Sequence, residues 1–265
     1  EPTLPAGATQ VAWAGPGGCH LCSVHPSGEV VFWHAGSGDL LGRLQAHEGP
    51  VSQVAFPHDR SLMATCGRTD MQVKLWDLGP HVPPGQAVLL RVYLSDRPLN
   101  AVALLPTLSR QHVARAGSPD PRRCDIIAGG GQDAREVALV GAGTDDQFDP
   151  LPLRIGDAAG TLDEYVIPGS EECRKGGGHF GPIHALAFST DGVTCVSGSE
   201  DGNVRLRELA ALLQESSDAQ AAEQAAAEPL TPAAVQPTAI TRGVALSDFD
   251  PSDIGWPVAA PQQPL

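Results

Sequence analysis

The chain has 265 residues, which allows one large domain or two small ones. Its 31 acidic and 17 basic side chains give a formal net charge of −14, which argues against a broad nucleic-acid-binding surface and against adsorption to anionic lipid. No run of about 18 consecutive apolar residues occurs, so we expect no transmembrane helix. The 30 glycines and 24 prolines favour short strands joined by many turns.

Four copies of one motif follow one another along the chain. They are ATQVAWAG at residues 8–15, HEGPVSQVAF at 47–56, RPLNAVALL at 97–105 and HFGPIHALAF at 179–188. The second and fourth copies share five of ten positions and begin 132 residues apart, which is three times 44. A period of about 40–45 residues is that of a four-stranded propeller blade.

Short runs typical of antiparallel strands follow the first, second and fourth copies. They include CHLCSV and EVVFWH, then LMATCG and MQVKLWDL, then VTCVSG and GNVRLREL, separated by turns rich in Gly, Asp, Ser and Pro. Alternation places Val73 and Leu75 on one face of their strand and Lys74 on the other, and the same pattern recurs at Val204 and Leu206. The sequence therefore predicts an all-β fold of about four blades.

The interval between the third and fourth copies is unusually long. Pro98 and Pro182 are separated by 84 residues, nearly two periods. Residues 106–123 and 141–160 have the composition of inserted loops. We favour one blade carrying two insertions, and a degenerate extra blade is the alternative.

Two motifs resemble chemical sites but fit strands and turns better. Cys19, Cys22 and His25 suggest a partial zinc site, which lacks a second ligand pair at finger spacing. The glycines at 129–131 suggest a phosphate loop, but they lack the Lys-Ser/Thr ending and the strand–loop–helix context. A tight turn at the end of a strand is the favoured interpretation of these glycines. We therefore expect neither a metal nor a cofactor.

The repeats resemble those of WD-repeat propellers. In that family a His before the first strand, a Ser or Thr, a turn Asp and a Trp form a buried hydrogen-bond chain inside a blade. The second copy supplies His47, Thr65, Asp70 and Trp76. The resemblance implies that these four side chains form a structural network within one blade.

The fourth copy supplies His179 and Asp201. The resemblance places the network hydroxyl at Ser197 or Ser199, of which we predict Ser199, and Arg207 stands where the family has Trp. A His–Asp–Ser set also occurs in hydrolases, but this set recurs at blade spacing and has no nucleophile elbow. We therefore expect no catalytic residues.

Two local motifs narrow the resemblance. IAGGGQDA at residues 127–134 and GHFGPI at 178–183, following RPLNAVAL, are similar to runs in the sixth and seventh blades of the subunit i family of the eukaryotic translation initiation factor three complex. The resemblance implies that the chain carries about the last four blades of a seven-bladed ring. Because the chain opens at Glu1, we expect it to be N-terminally incomplete, or else a divergent form with a different closure.

The resemblance also implies a non-catalytic cytoplasmic scaffold. In the family, subunit b donates a helix to the later blades, so the expected partners are subunits b and g, with the small ribosomal subunit approached indirectly and no direct binding to nucleic acid or membrane. Asp70, near an acidic turn position of the family, and Gln132, at an exposed blade edge, are the candidate partner contacts. Asp70 also has its second candidate role in the buried network. A WD-repeat adaptor of another pathway, such as receptor-kinase signalling, is the alternative function.

The composition changes after Leu209. Residues 210–228 are rich in Ala, Gln and Glu and predict a short helix, and from residue 229 onward Pro, Ala, Gln and Thr predict disorder. Residues 247–256 are acidic with aromatic side chains, as in a solvated tail or a partner-binding segment. We therefore divide the chain into propeller blades at 7–209 and an acidic tail at 210–265.

Overall fold

The computed structural model describes residues 7–15, 17–79, 86–115, 124–131, 148, 150–155, 164–166, 179–210 and 213. Most of the predicted tail therefore lies outside the described residues, and the domain boundary at residue 209 stays a prediction. The strands are β1 (Gln10–Ala14), β2 (His20–Val24), β3 (Glu29–His34), β4 (Leu40–Gln45), β5 (Val51–Ala55), β6 (Leu62–Gly67), β7 (Gln72–Asp77), β8 (Val88–Leu94), β9 (Leu99–Leu104), β10 (Ile126–Gly130), β11 (Leu151–Leu153), β12 (Glu164–Val166), β13 (Ile183–Phe188), β14 (Thr194–Ser199) and β15 (Val204–Glu208), and helix α1 (Arg110–Arg115) lies between β9 and β10.

These strands form four sheets that follow one another in chain order. Blade 1 contains β1–β4, blade 2 contains β5–β8, blade 3 contains β9–β11 and blade 4 contains β13–β15. Strands that are consecutive in a blade pair antiparallel, and where a short turn joins them, as between β1, β2 and β3, no other pairing is possible. The predicted all-β fold with about four blades is confirmed.

The long interval between the third and fourth copies contributes one sheet of its own among the described residues. Strands β9 and β10 pair over residues 99–130, and β11 adds to the free edge of β10. The first predicted loop contains helix α1. The prediction of a loop at 141–160 is wrong for β11, where Leu151 and Leu153 are buried and Pro152 occupies an edge strand that tolerates proline.

Strand β12 is the other addition from this interval. It pairs in parallel with β8 at the outer edge of blade 2. Blade 2 therefore has five strands, the fifth coming from a segment that follows blade 3 in the chain.

Each pair of consecutive blades encloses an apolar core. Strand β6 shows how alternation produces this packing, since Met63 joins the core shared with blade 1 while Leu62, Ala64 and Cys66 join the core shared with blade 3. All six residues of β6 are buried, as expected of a strand covered on both faces.

A cysteine lies in each of the three cores between blades. Cys22 belongs to the core between blades 1 and 2, and Cys66 to the core between blades 2 and 3. Cys124 and Cys195 belong to the core between blades 3 and 4. All four are free thiols, so hydrophobic packing accounts for their burial.

Candidate functional site

A buried chain of four polar side chains crosses blade 2. Nδ1 of His47 lies 2.7 Å from Oδ2 of Asp70, and Nε2 of His47 lies 2.8 Å from Oγ1 of Thr65. The indole Nε1 of Trp76 donates to the same hydroxyl over 3.0 Å. Because the carboxylate only accepts, the Nδ1–H of His47 donates to Asp70.

The carboxylate of Asp70 is the charged end of this network. Burial raises its pKa, but the hydrogen bond and electrostatic attraction of His47, together with the Lys74 ammonium 3.9 Å away, outweigh burial, so the pKa is lowered from its usual value. The ionised carboxylate is therefore the form that the folded blade stabilises.

A glycine provides the space in which His47 and Asp70 meet. A β-carbon on Gly67, at the end of β6, would collide with Oδ1 of Asp70 and lie 2.6 Å from Nδ1 of His47. The next turn carries Met71 in the left-handed region, with φ of 53°. The end of β6 and this turn together place the acid over the imidazole.

Blade 4 repeats the arrangement with a different hydroxyl from the one predicted. Nε2 of His179 lies 2.8 Å from Oγ of Ser197, and Nδ1 lies 3.1 Å from Oδ2 of Asp201. Ser199 instead donates its hydroxyl to the carbonyl of Gly181 over 2.6 Å. The prediction of Ser199 is therefore corrected to Ser197, which stands 18 residues after its histidine, the same separation as in blade 2.

The acid of blade 4 is held by its backbone neighbours as well as by histidine. The N–H groups of Phe180 and Asn203 donate to its two carboxylate oxygens over 2.9 Å. Burial raises the pKa of Asp201, but these two donors and His179 outweigh it, so the pKa is lowered. Arg207 occupies the position of Trp76, so the Ser197 hydroxyl has no indole donor.

Blade 1 contains a shortened network that sequence reasoning missed. The indole of Trp33 donates to Oγ of Ser23 over 2.8 Å, and that hydroxyl lies 2.9 Å from Nε2 of His25. His25 is buried, and its Nδ1 has no hydrogen-bond partner among the described residues. The sequence does contain a signal for this network. Trp33 follows Ser23 by ten residues, close to the eleven residues by which Trp76 follows Thr65 in blade 2.

Glutamine side chains tie the blades together at their first strands. The amide of Gln10 donates to the carbonyl of Val54 and accepts from its N–H, so β1 is clasped to β5. Gln53 accepts from the N–H of Val102, and this single bond links β5 to β9. The amides therefore hold register between sheets that share no ladder hydrogen bonds.

Comparison with known proteins agrees with this geometry. The family model described as WD domain, G-beta repeat matches residues 38–77 and 171–207, which include the His47 and His179 networks. Proteins named eukaryotic translation initiation factor 3 subunit I match most of the chain. The one from Nematostella vectensis is 30% identical over 207 residues, covering 77% of this chain and 53% of the relative.

The chain contains WD repeats and is similar to initiation factor 3 subunit I. The Bombyx mori protein is 29% identical over 69% of this chain and 45% of its own length, and the human protein is 27% identical over 75% and 50%. The chain thus spans about half the length of the curated relatives it matches.

Of the two candidate partner contacts, Asp70 and Gln132, the structure describes only Asp70. The side chain of Asp70 is only 8% exposed and bonded to His47, so little of its carboxylate is open to a partner. Gln132 lies outside the described residues. Before it, Gly129 and Gly130 end β10, and a β-carbon at Gly130 would collide with the carbonyl of Pro98.

Among the described residues there is neither a metal-binding cluster nor a helix able to cross a membrane. No group of three or more His, Cys, Asp or Glu side chains is arranged there to hold a metal ion. Of the proposed zinc ligands, Cys22 and His25 are buried on strand and turn, and Cys19 is exposed. Helix α1 is too short and too polar to cross a membrane.

Proposed function

We propose that this chain is a non-catalytic scaffold of translation initiation, holding other subunits of initiation factor 3. The observation that carries the proposal is the similarity to relatives named as subunit I over about three quarters of the chain. Those relatives are about twice as long as the matched region, so a role for this chain rests on the blades it retains.

The buried networks support a scaffold over an enzyme. Thr65 is fully buried and His47 is 2% exposed. Blades 2 and 4 repeat the same order of histidine, hydroxyl and aspartate. A hydrolytic nucleophile must reach its substrate, and its hydroxyl must be near an oxyanion site. The network hydroxyls of Thr65 and Ser197 instead bond to side chains of their own blades.

Charge supports a basic partner. The net charge of −14 favours encounter with a positively charged segment and opposes encounter with nucleic acid. We propose that subunits b and g are the direct partners, that the small ribosomal subunit is approached through them, and that the chain works in the cytoplasm without a cofactor. The basic helix of subunit b would be steered by the acidic surface and anchored by a few apolar contacts.

The test is co-purification of the full chain from translating cells. We expect subunits b and g in the eluate, together with small-ribosomal-subunit proteins that disappear when the complex is washed at high salt. The chain heated beyond its melting temperature and cooled serves as the control for adhesive, unfolded protein. Recovery of a receptor kinase without initiation factor subunits would overturn the proposal in favour of an adaptor of another pathway.

A further inference from the structure

Phe180 is the most exposed large apolar side chain among the described residues, at 86%. It lies in the loop that enters blade 4, one residue after the network histidine His179. The same repeat position holds Glu48 in blade 2 and Asp96 in blade 3, two blades that have a neighbour on each side, and both residues are exposed. Exposure is therefore a property of this position of the repeat and does not depend on the place of blade 4 in the chain.

The loop that presents Phe180 is bonded to the turn between β14 and β15. The N–H of Phe180 donates to Oδ2 of Asp201 over 2.9 Å. From the same turn, the N–H of Glu200 donates to the carbonyl of Pro182 over 3.1 Å. Because the backbone is held at Phe180 and again two residues later, a partner that covers the ring has little additional chain to order. The aromatic side chain is thus both exposed and preorganised.

An accessible carboxylate lies beside this loop. A β-carbon added at Gly181 would lie 3.5 Å from the β-carbon of Glu200, so the two segments are in contact next to Phe180. The side chain of Glu200 is 49% exposed, and Nε2 of His184, whose side chain is 48% exposed, lies 3.7 Å from its carboxylate. About half of the Glu200 side chain is therefore open to a partner, whereas that of Asp201 is 6% exposed and bonded to its histidine.

An exposed aromatic ring next to an accessible carboxylate is a combination that recognises a cationic side chain. The face of the ring attracts the cation, and the carboxylate accepts its N–H donors. The net charge of −14 favours the approach of a segment that carries such side chains. We propose that Phe180 and Glu200 form a docking point for an arginine or lysine side chain of a basic partner segment. This docking point rests on the proposed scaffold function, which calls for a basic partner, and it assigns the contact to blade 4.

The experiment measures the fluorescence anisotropy of a short labelled peptide of alternating arginine and leucine on addition of the full chain. A matched peptide has glutamine in place of each arginine and should bind more weakly. Phe180→Ala, and Phe180→Leu, which keeps the apolar area but removes the ring, should each weaken binding of the arginine peptide by roughly fivefold or more. Glu200→Gln should weaken it as well. Val193→Ala is the matched control and should bind like the wild type, because Val193 is 56% exposed at the opposite end of β14.

The outcomes separate the docking point from the scaffold function. Far-UV circular dichroism should show the same strand signal in all variants, since Phe180 is exposed and its backbone bond to Asp201 is kept. Equal affinity of the wild type and Phe180→Ala for the arginine peptide would overturn the docking point, as would a wild type that binds both peptides equally or neither. If the wild-type chain recovers neither subunit b nor subunit g from cells while Phe180→Ala still weakens the arginine peptide, the scaffold function fails and the docking point stands.

Discussion

At the scale of single residues, the two candidate roles of Asp70, acid of the buried network and partner contact, predict different effects of mutation. Its side chain is enclosed and bonded to His47, whereas the neighbouring Glu48 is exposed. Replacement of Asp70 by Ala leaves the Nδ1–H of His47 unpaired and should lower the free energy of unfolding by about 1–3 kcal/mol. Chemical denaturation checks this, with Glu48→Ala as the control that should change stability little.

Charge reversal extends the same comparison to partner binding. Asp70→Lys should unfold blade 2, as seen in far-UV circular dichroism, while Glu48→Lys should leave it folded. If Asp70→Lys keeps its fold but loses capture of a basic helix in a pull-down, Asp70 is a partner contact. If both fold and capture persist, neither role holds.

The lowered pKa of Asp70 has a consequence for stability at acid pH. A lowered folded-state pKa stabilises the protein above the unfolded-state value of about 3.9, and that contribution is lost as pH falls through the folded-state pKa. The stability difference between wild type and Asp70→Asn should therefore be constant from pH 7 to about pH 5 and shrink below about pH 4. Urea denaturation across this range checks it, and a difference that grows on acidification would contradict it.

Residue types at fixed spacing made the blade 2 network predictable before its geometry was known. His47, Thr65, Asp70 and Trp76 lie at the separations that a strand, a turn and a strand impose. Ser197 and Ser199 lie on the same face of β14, so alternation does not distinguish them, whereas the 18-residue separation from the histidine, the same as in blade 2, selects Ser197.

His25 could not be found in the same way. Its imidazole reaches Ser23 from two residues later in the chain instead of from a position before the first strand. Only the three-dimensional path of the β2–β3 turn brings that ring back onto the hydroxyl. The same holds for β11, whose alternation was obscured by Pro150 and Pro152.

At the scale of elements, the end of β6 tolerates no side chain. Gly67→Ala would force a methyl group between Asp70 and His47, so we expect substantial destabilisation through a displaced network. Gly198→Ala is the matched control in β14, because its β-carbon would lie 3.7 Å from that of Ala185, an ordinary contact. Thermal melts of the two variants compare them, and equal losses would show that the space beside Gly67 is not the cause.

The inter-blade clasps explain why first strands were the most recognisable part of the sequence. The first strands of blades 2 and 3 carry their own ladders and also bond to the preceding blade, through Gln10 with Val54 and through Gln53 with Val102. Residues under two constraints repeat more faithfully than those of outer strands. Blade 3 was harder to delimit because its outer strand, β11, has three residues and follows a long insertion.

At the scale of the whole molecule, the buried cysteines of the inter-blade cores report when each junction between blades opens. Burial raises the pKa of Cys22 and Cys66 to about 12 and also raises that of Cys195, so these thiols react only when a core opens. Pulsed alkylation followed by peptide mass spectrometry should modify Cys19 at once, Cys22 and Cys195 later, and Cys66 last, because β6 is covered on both faces. The order of labelling would then record, junction by junction, the sequence in which the blades come apart.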